Sequence, residues 1–163
     1  MTPAYVSIGT NLGDRAAHVD FAVRALGELP ETRVEALSPL FETDPVGPPP
    51  QGPYLNAVAR LATSLAPRAL LDGLLAIERR AGRERGARNA ARTLDLDLLL
   101  YGDRVVDEPG LALPHPRLAE RAFVLEPLAS LAPDLVHPIC GEPIASLAAR
   151  VRDPRAVRRW SGR

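Results

Sequence analysis

The chain has 163 residues, of which 46% are hydrophobic, so one globular domain spanning residues 1–163 is expected. Its acidic and basic side chains are equal in number. A formal net charge of zero argues against nucleic-acid binding, because that activity requires an excess of positive charge. The single cysteine excludes an internal disulfide, and the absence of lysine excludes a P-loop, a Schiff-base enzyme and a protein kinase. With no signal-like N-terminus and no apolar run of membrane-spanning length, the sequence predicts a cytoplasmic protein without membrane association.

Strand and helix patterns alternate through the first half of the chain. Residues 4–9 are predicted to form a strand, and Asn11 or Asp14 is placed to cap the helix that follows. Residues 34–42 and 55–63 predict a second and a third strand. The segment between these two strands is rich in proline and glycine, which predicts a loop.

The second half begins with a helix that starts at Pro67, and its apolar stripe consists of Leu70, Leu71, Leu74, Leu75 and Ile77. An arginine-rich loop over residues 79–92 then leads into a strand that ends at Tyr101. A loop with two short helices follows residue 107, and a terminal helix is predicted over residues 144–151. The order βαββαβ predicts an α+β fold, a ferredoxin-like sandwich with a mostly antiparallel sheet and helices on one face.

The most informative motif is RTLDLDLLLY, which begins at Arg92. Leu94, Leu96, Leu98 and Leu100 alternate with Asp95, Asp97, Leu99 and Tyr101, and this period of two predicts a strand with both carboxylates on the face away from the leucines. The α-carbons of the two aspartates would lie roughly 6.5 to 7 Å apart. Two bare carboxylates so close repel each other, whereas a shared Mg²⁺ is favoured by oxygen ligands. The alternative is an edge strand with solvated aspartates.

Six arginines precede this strand, namely Arg79, Arg80, Arg83, Arg85, Arg88 and Arg92. Guanidinium groups next to a metal-binding strand suit a polyphosphate that is held from both sides. The alternative explanation is compositional, because all twenty basic residues of the chain are arginine and ordinary surface lysines have been replaced as well.

Several segments together resemble a known family, the 6-hydroxymethyl-7,8-dihydropterin pyrophosphokinases of the folate pathway. They are SIGTNLGD, YLNA, SLAPRALL, RTLDLDLLLYG, LPHPRLAERAFVLEPL and LAPDL, and they cover nearly the whole chain. The resemblance implies a ferredoxin-like fold, ATP as co-substrate, Mg²⁺, and transfer of the β,γ-pyrophosphoryl group to the pterin hydroxymethyl with AMP as the second product.

The resemblance also implies roles at the nucleotide end of the site. Asp95 and Asp97 would hold two Mg²⁺ ions, and Asp97 is the nearest candidate to accept the hydroxyl proton. Contacts with the triphosphate and the rest of ATP would come from Arg83, Arg85, Arg92, His115, Arg121, Leu71 and Leu98. Of these, Arg83 and Arg92 are expected to be catalytic together with Asp97.

At the pterin end, Tyr54 and Phe123 resemble an aromatic pair that sandwiches the flat ring. Asn56 would hydrogen-bond the edge of the pterin, and backbone groups would be offered by Thr43, Asp44, Pro45 and Val46. The alternative for the two aromatics is a place in the core. The sequence departs from the family pattern at three places: Asn89-Ala90-Ala91 replaces a frequent Trp-Gly-Pro, Asp44 replaces an apolar residue or proline, and Pro116 replaces an aromatic.

Two other functions compete with this interpretation. A ferredoxin-like RNA-binding module would need stacking aromatics and a basic surface, and this chain has neither. Another Mg²⁺-dependent nucleotidyltransferase or phosphohydrolase would share the two aspartates but would not need the pterin-binding residues. We therefore expect a monomeric enzyme whose partners are a pterin and ATP, with no nucleic acid and no membrane.

Overall fold

A computed structural model of the chain describes residues 1–45, 52–85 and 94–162, apart from the side chains of residues 83–85. Its strands, numbered in chain order, are β1 (Thr2–Thr10), β2 (Thr32–Leu37), β3 (Phe41–Thr43), β4 (Tyr54–Thr63), β5 (Asp95–Tyr101), β6 (Val106–Glu108), β7 (Leu111–Leu113) and β8 (Val157–Arg159). The main sheet has the order β5-β1-β4-β3-β8, and β2 pairs with the far half of β4. Every described pairing of strands is antiparallel.

Helices cover both faces of this sheet. One face packs against α1 (Arg15–Gly27) and α2 (Pro67–Arg85), and the other packs against α3 (Ala122–Leu131) and α4 (Ile144–Val151). The order β1-α1-β2/β3-β4-α2-β5 is the βαββαβ unit of the ferredoxin-like fold, which confirms the predicted fold class. The expectation of helices on one face only is wrong, because β1 and β4 are buried on both sides and need a second covering layer.

The start of α1 follows the prediction, since Asp14 caps the helix by accepting a hydrogen bond from the backbone N–H of Ala17 at 3.1 Å. The second helix begins at Pro67 as predicted but continues to Arg85, so the predicted arginine loop does not start at residue 79. Gly82 does not interrupt the helix, because Ala81 beside it is buried in the core and arginine is a good helix former.

The second predicted strand is split into β2 and β3. Ser38 lies between them, and its hydroxyl oxygen accepts a hydrogen bond from the backbone N–H of Val58 at 2.9 Å. Pro39 follows and has no N–H to donate to a ladder, so strand pairing resumes only at Phe41.

A bulge in β5 interrupts the predicted alternation. Val6 of β1 pairs with Leu98 and Tyr5 pairs with Leu100, so Leu99 is an extra residue on β5. As a result Leu99 and Leu100 both contact the α3–α4 layer, whereas Tyr101 lies in the α1–α2 core. The predicted faces of Leu100 and Tyr101 are therefore wrong, while the faces of both aspartates are unaffected because the bulge follows them.

Two elements near the C-terminal end were not predicted. The first is the β6–β7 hairpin, which begins at Val106. The 3-10 turn Leu118–Glu120 and α3 follow it, and they correspond to the two short helices that were predicted. The helix α4 is not terminal, because β8 follows it and pairs with β3. Among the described residues, none of the helices combines the length and the apolar character that crossing a membrane requires.

The packing of α2 generates a stability prediction. Leu74 is 0% exposed in the core, whereas its neighbour Leu75 is 41% exposed. We expect Leu74→Ala to lower the free energy of unfolding by about 2 to 5 kcal/mol, because a cavity opens beneath the sheet. The matched variant Leu75→Ala should cost less than about 1 kcal/mol. Urea denaturation followed by circular dichroism measures both, and similar losses would contradict the assigned helix faces.

Candidate active site

The floor of the candidate site is a row of residues that runs across three strands. Asp95 of β5 pairs with Gly9 of β1, and Gly9 pairs with Asn56 of β4. Directly opposed residues in a sheet share one face, so these side chains all point toward the α3–α4 side. Asp97 pairs with Ser7 in the next row. The two aspartates therefore share one face, and the small residues of β1 leave open space between them and Asn56.

Gly9 is required by a close approach in this row. A Cβ atom at this position would lie 2.8 Å from Oδ1 of Asn56, so any larger residue would displace the Asn56 amide from its place beside Thr43. Asn56 is 7% exposed, and its Nδ2 donates a hydrogen bond to Oγ1 of Thr43. The amide is thus held between β1 and β3 in one orientation.

A cavity of about 500 Å³ opens above this floor. It brings together most of the residues predicted for the pterin and the metal, with one arginine predicted for ATP: Thr43, Asp44, Tyr54, Asn56, Asp95, Asp97, Arg121 and Phe123. Pro45 lines neither this cavity nor the second one. The C-terminal segment contributes lining residues that the sequence analysis missed, namely Val151, Asp153, Ala156 and Val157. The pairing of β8 with β3 and the packing of α4 bring them here, and no local motif signals either contact.

A second cavity, of about 380 Å³, adjoins the first. Its lining includes Leu71, Leu98 and His115, three residues that were predicted to contact ATP. Asp97 lines both cavities, so the two spaces meet at this carboxylate. The β6–β7 hairpin, which the sequence analysis missed, supplies a further wall from Glu108 to Ala112.

Glu78 of α2 also lines the second cavity. Its Oε2 accepts a hydrogen bond from the backbone N–H of Leu96 at 2.7 Å. This contact joins α2 to the strand that carries the aspartates. Glu78 therefore supports the site from the side of the helix.

His115 has a defined hydrogen-bonding state. Burial lowers the pKa of its imidazole below the ordinary value, and the charges of Arg121 and Arg117 act in the same direction, while Asp97 opposes them. Nδ1 accepts a hydrogen bond from the backbone N–H of Arg117 at 3.1 Å. In the neutral ring the proton is then on Nε2, which makes Nε2 a donor.

Arg121 and Phe123 contact each other within the first cavity. The guanidinium carbon lies 5.6 Å from the centre of the phenyl ring, a cation–π distance. A cation and an aromatic face are thus presented side by side, which suits a site that takes both phosphate and a flat ring.

Some predicted residues lie outside the described part of the chain. They are Val46, Arg88, Arg92, the triplet Asn89-Ala90-Ala91, and the side chains of Arg83 and Arg85. Their predicted roles stay predictions.

The donor set of the site fits Mg²⁺. Two carboxylates share one face, and they line a cavity that also contains polar oxygen groups. Within residues 1–45, 52–85 and 94–162 no cluster of three or more histidine, cysteine or acidic residues is placed to hold a metal. A pair of carboxylates suits Mg²⁺, which typically takes one or two carboxylates and completes its octahedron with water and substrate phosphate.

Comparison with known proteins agrees with this geometry. Residues 5–133 match the family model of 7,8-dihydro-6-hydroxymethylpterin-pyrophosphokinase. A 2-amino-4-hydroxy-6-hydroxymethyldihydropteridine pyrophosphokinase of Pseudomonas aeruginosa is 51% identical over 134 residues, which cover 82% of this chain and 83% of the relative. The enzyme of the same name from Methylorubrum extorquens is 43% identical over 159 residues, 98% of this chain and 99% of the relative.

Solved structures agree on the fold. A Plasmodium falciparum HPPK-DHPS crystal structure superimposes with a TM-score of 0.75 at 15% identity, over 91% of this chain and 45% of that chain. This chain thus spans about half the length of that protein. Since the family model covers most of the chain and both curated relatives match over more than 80% of it, the chain belongs to the 7,8-dihydro-6-hydroxymethylpterin-pyrophosphokinase family.

Proposed function

We propose that the larger cavity binds 6-hydroxymethyl-7,8-dihydropterin and that the smaller one binds the adenosine part of ATP. As a member of its family, the chain is an ATP-dependent pyrophosphokinase of folate biosynthesis, which transfers pyrophosphate from ATP to the hydroxymethyl group of the pterin. The observation that carries the cavity assignment is that both spaces meet at Asp97. Phosphoryl donor and acceptor would then meet at the carboxylate pair.

In the larger cavity, Tyr54 and Phe123 bind the two faces of the pterin ring, and Asn56 recognises its edge. The support for these roles is that all three side chains line one space. Asn56 is already oriented by Gly9 and Thr43, so its amide does not lose rotational freedom when the pterin binds. A nucleotidyltransferase or phosphohydrolase would not need these three side chains together. Backbone groups of Thr43, Asp44, Pro45 and Val46 complete the proposed contacts.

In the smaller cavity, Leu71 and Leu98 supply apolar contact to the adenosine, and the Nε2–H of His115 donates to the nucleotide. Arg121 reaches the phosphates from the larger cavity. Arg83, Arg85 and Arg92 are proposed to bind the triphosphate as well, with Arg83 and Arg92 acting on the transferred group. Planar guanidinium forks suit phosphate oxygens, and their bonds strengthen as charge moves in the transition state.

Asp95 and Asp97 would hold Mg²⁺, and we propose two ions. Bound Mg²⁺ neutralises phosphate charge and orients the polyphosphate. Asp97 is also proposed to accept the proton of the pterin hydroxyl, since it is the carboxylate that both cavities share. Both side chains point away from the leucine side of β5, so a substitution at either aspartate leaves the packing of the core unchanged.

We propose that the protein is a single domain that acts as a monomer in the cytoplasm and has no nucleic-acid partner. In support, one chain supplies residues to both walls of each cavity, and the net charge of the sequence is zero. A nucleic-acid binder would need a surplus of positive charge.

The activity assay is direct. Incubation of the protein with ATP, Mg²⁺ and 6-hydroxymethyl-7,8-dihydropterin should give AMP and the pterin diphosphate in equal amounts. We expect Asp95→Asn and Asp97→Asn each to lower turnover by roughly 100-fold or more, as is typical when a group that stabilises transition-state charge is removed. The exposed Asp20→Asn on α1 is the control, and thermal melting should show all three variants folded. Near-wild-type turnover of either site variant at saturating Mg²⁺ would refute the metal assignment.

The aromatic pair gives a second prediction. Tyr54→Ala and Phe123→Ala should weaken pterin binding far more than ATP binding, because ring contacts contribute about 0.5 to 1.5 kcal/mol beyond area burial. Calorimetry with the pterin and with an inert ATP analogue separates the two ligands. An equal loss for both would indicate a general structural defect.

The third prediction concerns the pH dependence of stability. Because the pKa of His115 is lowered in the folded protein, the unfolded chain binds more protons once the pH falls below about 6.5. The contribution of His115 to stability is therefore full above pH 6.5 and decreases as the pH falls toward the folded pKa. NMR titration of the ring should give a pKa below 6.5. The stability difference between wild type and His115→Gln should shrink on acidification, and a constant difference would contradict the buried neutral ring.

A further inference from the structure

A charged network lies behind the larger cavity, on the α1 side of the sheet. Its central residue is Glu42, the middle residue of β3. Glu42 pairs with Leu55, which belongs to the α1–α2 core, so its side chain points away from the cavity that its neighbour Thr43 lines. The carboxylate of Glu42 therefore does not contact a ligand in that cavity.

Each carboxylate oxygen of Glu42 contacts a different arginine. Nη1 of Arg15 lies 2.9 Å from Oε2, and Nη2 of Arg158 lies 3.4 Å from Oε1. Arg15 is the first residue of α1, whereas Arg158 is the middle residue of β8. One carboxylate thus joins a helix start to the C-terminal strand. Its side chain is 24% exposed and that of Arg15 is 22% exposed, so water screens their contact only in part.

Arg158 holds one wall of the cavity. Its Nη1 donates a hydrogen bond to Oδ1 of Asp44 at 3.1 Å, and this bond raises the pKa of the guanidinium above its ordinary value. The backbone N–H of Asp44 donates to the carbonyl oxygen of Ala156 at 2.9 Å. Asp44 is therefore bound to the C-terminal segment by its side chain and by its backbone.

Arg15 contacts the start of β4, where Tyr54 pairs with Thr43 beside Asp44. Its Nη1, the atom that contacts Glu42, also donates to the carbonyl oxygen of Pro53 at 3.1 Å. Pro53 directly precedes Tyr54, whose ring lines the cavity. The arginine thus binds the backbone immediately before Tyr54 and β4.

We propose that Glu42 is a positioning residue for the pterin, because its carboxylate fixes Arg158 and Arg15 and, through them, the Asp44 and Tyr54 walls of the cavity. This role rests on the proposed assignment of the larger cavity to the pterin. A flat, uncharged ring binds more tightly when the groups that contact it are already held in place. Neither arginine nor Glu42 lines the smaller cavity, so the nucleotide should not sense the network.

The test is Glu42→Gln, which keeps the shape of the side chain and removes its charge. We expect the Kd of the pterin, measured by calorimetry with an inert ATP analogue present, to rise about fivefold, as for the loss of partly exposed ion pairs. The Kd of the ATP analogue should stay within about twofold. In steady-state assays the KM for the pterin should rise while kcat stays within about twofold, the pattern of lost uniform binding.

Glu35→Gln is the matched control. Glu35 of β2 also lies between two arginines, Arg33 at 3.4 Å and Arg60 at 3.6 Å, and its side chain is 34% exposed. It lines neither cavity. The same change of charge in an equivalent pairing should leave both ligand affinities at the wild-type value.

Arg158→Gln provides an independent variant at a more exposed position. It removes the side-chain contact with Asp44 and should also raise the KM for the pterin. In the Glu42→Gln background its effect should be smaller than in the wild type, because the two residues act through one contact. If Glu42→Gln fails to fold, Arg158→Gln decides alone, and an unchanged KM for the pterin would overturn the proposal.

Three outcomes with Glu42→Gln also overturn the positioning role: an unchanged pterin affinity, an equal loss for the ATP analogue, or an equal loss in Glu35→Gln. A result with the wild-type protein distinguishes failure of the positioning role from failure of the proposed function. If the wild-type protein binds ATP but no pterin, the assignment of the larger cavity is wrong, and the role of Glu42 is overturned with it.

Discussion

The pairing of β1 with both of its neighbours is the constraint on which the site depends. Gly9 stands between Asp95 and Asn56, and the register that places it there is enforced from the opposite face of the sheet. On that face Leu94, Leu96 and Leu98 are buried in the core. A shift of β5 by one residue would expose the leucines and bury two carboxylates, at a cost of many kcal/mol. Burial of the leucines on one face of β5 thus fixes the positions of the two carboxylates on the other face.

A single short segment serves both cavities. His115 lines the smaller cavity and Phe123 the larger one, and the 3-10 turn Leu118–Glu120 lies between them. Leu118 is 0% exposed in the α3–α4 layer, so the turn is held by the core. The proposed nucleotide and pterin contacts therefore have a common support, and a shift of this turn would disturb both.

The electrostatics of the site follow from its unequal burial. Burial keeps His115 neutral, whereas Asp95 and Asp97 are only half-buried and their site is open to water and cations. Arginines approach from the segment that follows His115. In the proposed assignment, cations and a neutral donor would receive the phosphates, and the carboxylates would be left to hold metal.

The sequence was informative where a pattern is local and less so where distant segments meet. The period of two predicted the faces of Asp95 and Asp97, and Pro67 marked the start of α2 correctly. Glycines misled the prediction of where α2 ends, because a glycine within a helix, such as Gly82, costs only about 1 kcal/mol. The bulge at Leu99 was not predictable, since it depends on the register with β1.

Contacts far apart in sequence account for the other differences. β8 pairs with β3 across more than one hundred residues, and it brings Ala156 and Val157 to the larger cavity. The role of Glu78 depends on the approach of α2 to β5, which no spacing in the sequence encodes. The family motifs pointed to many of the residues that line the two cavities, but not to the residues that hold them in place.

The hydrogen bond of Glu78 has a consequence for solubility. β5 is the outer strand of the main sheet, and an apolar outer strand is a template for pairing with a strand of another molecule. Glu78 occupies the outward N–H of Leu96, and the bulge at Leu99 breaks the regular spacing of the remaining groups. A second chain cannot extend the sheet along this edge in register. The leucine-rich strand that carries the aspartates is thereby protected from edge-to-edge aggregation.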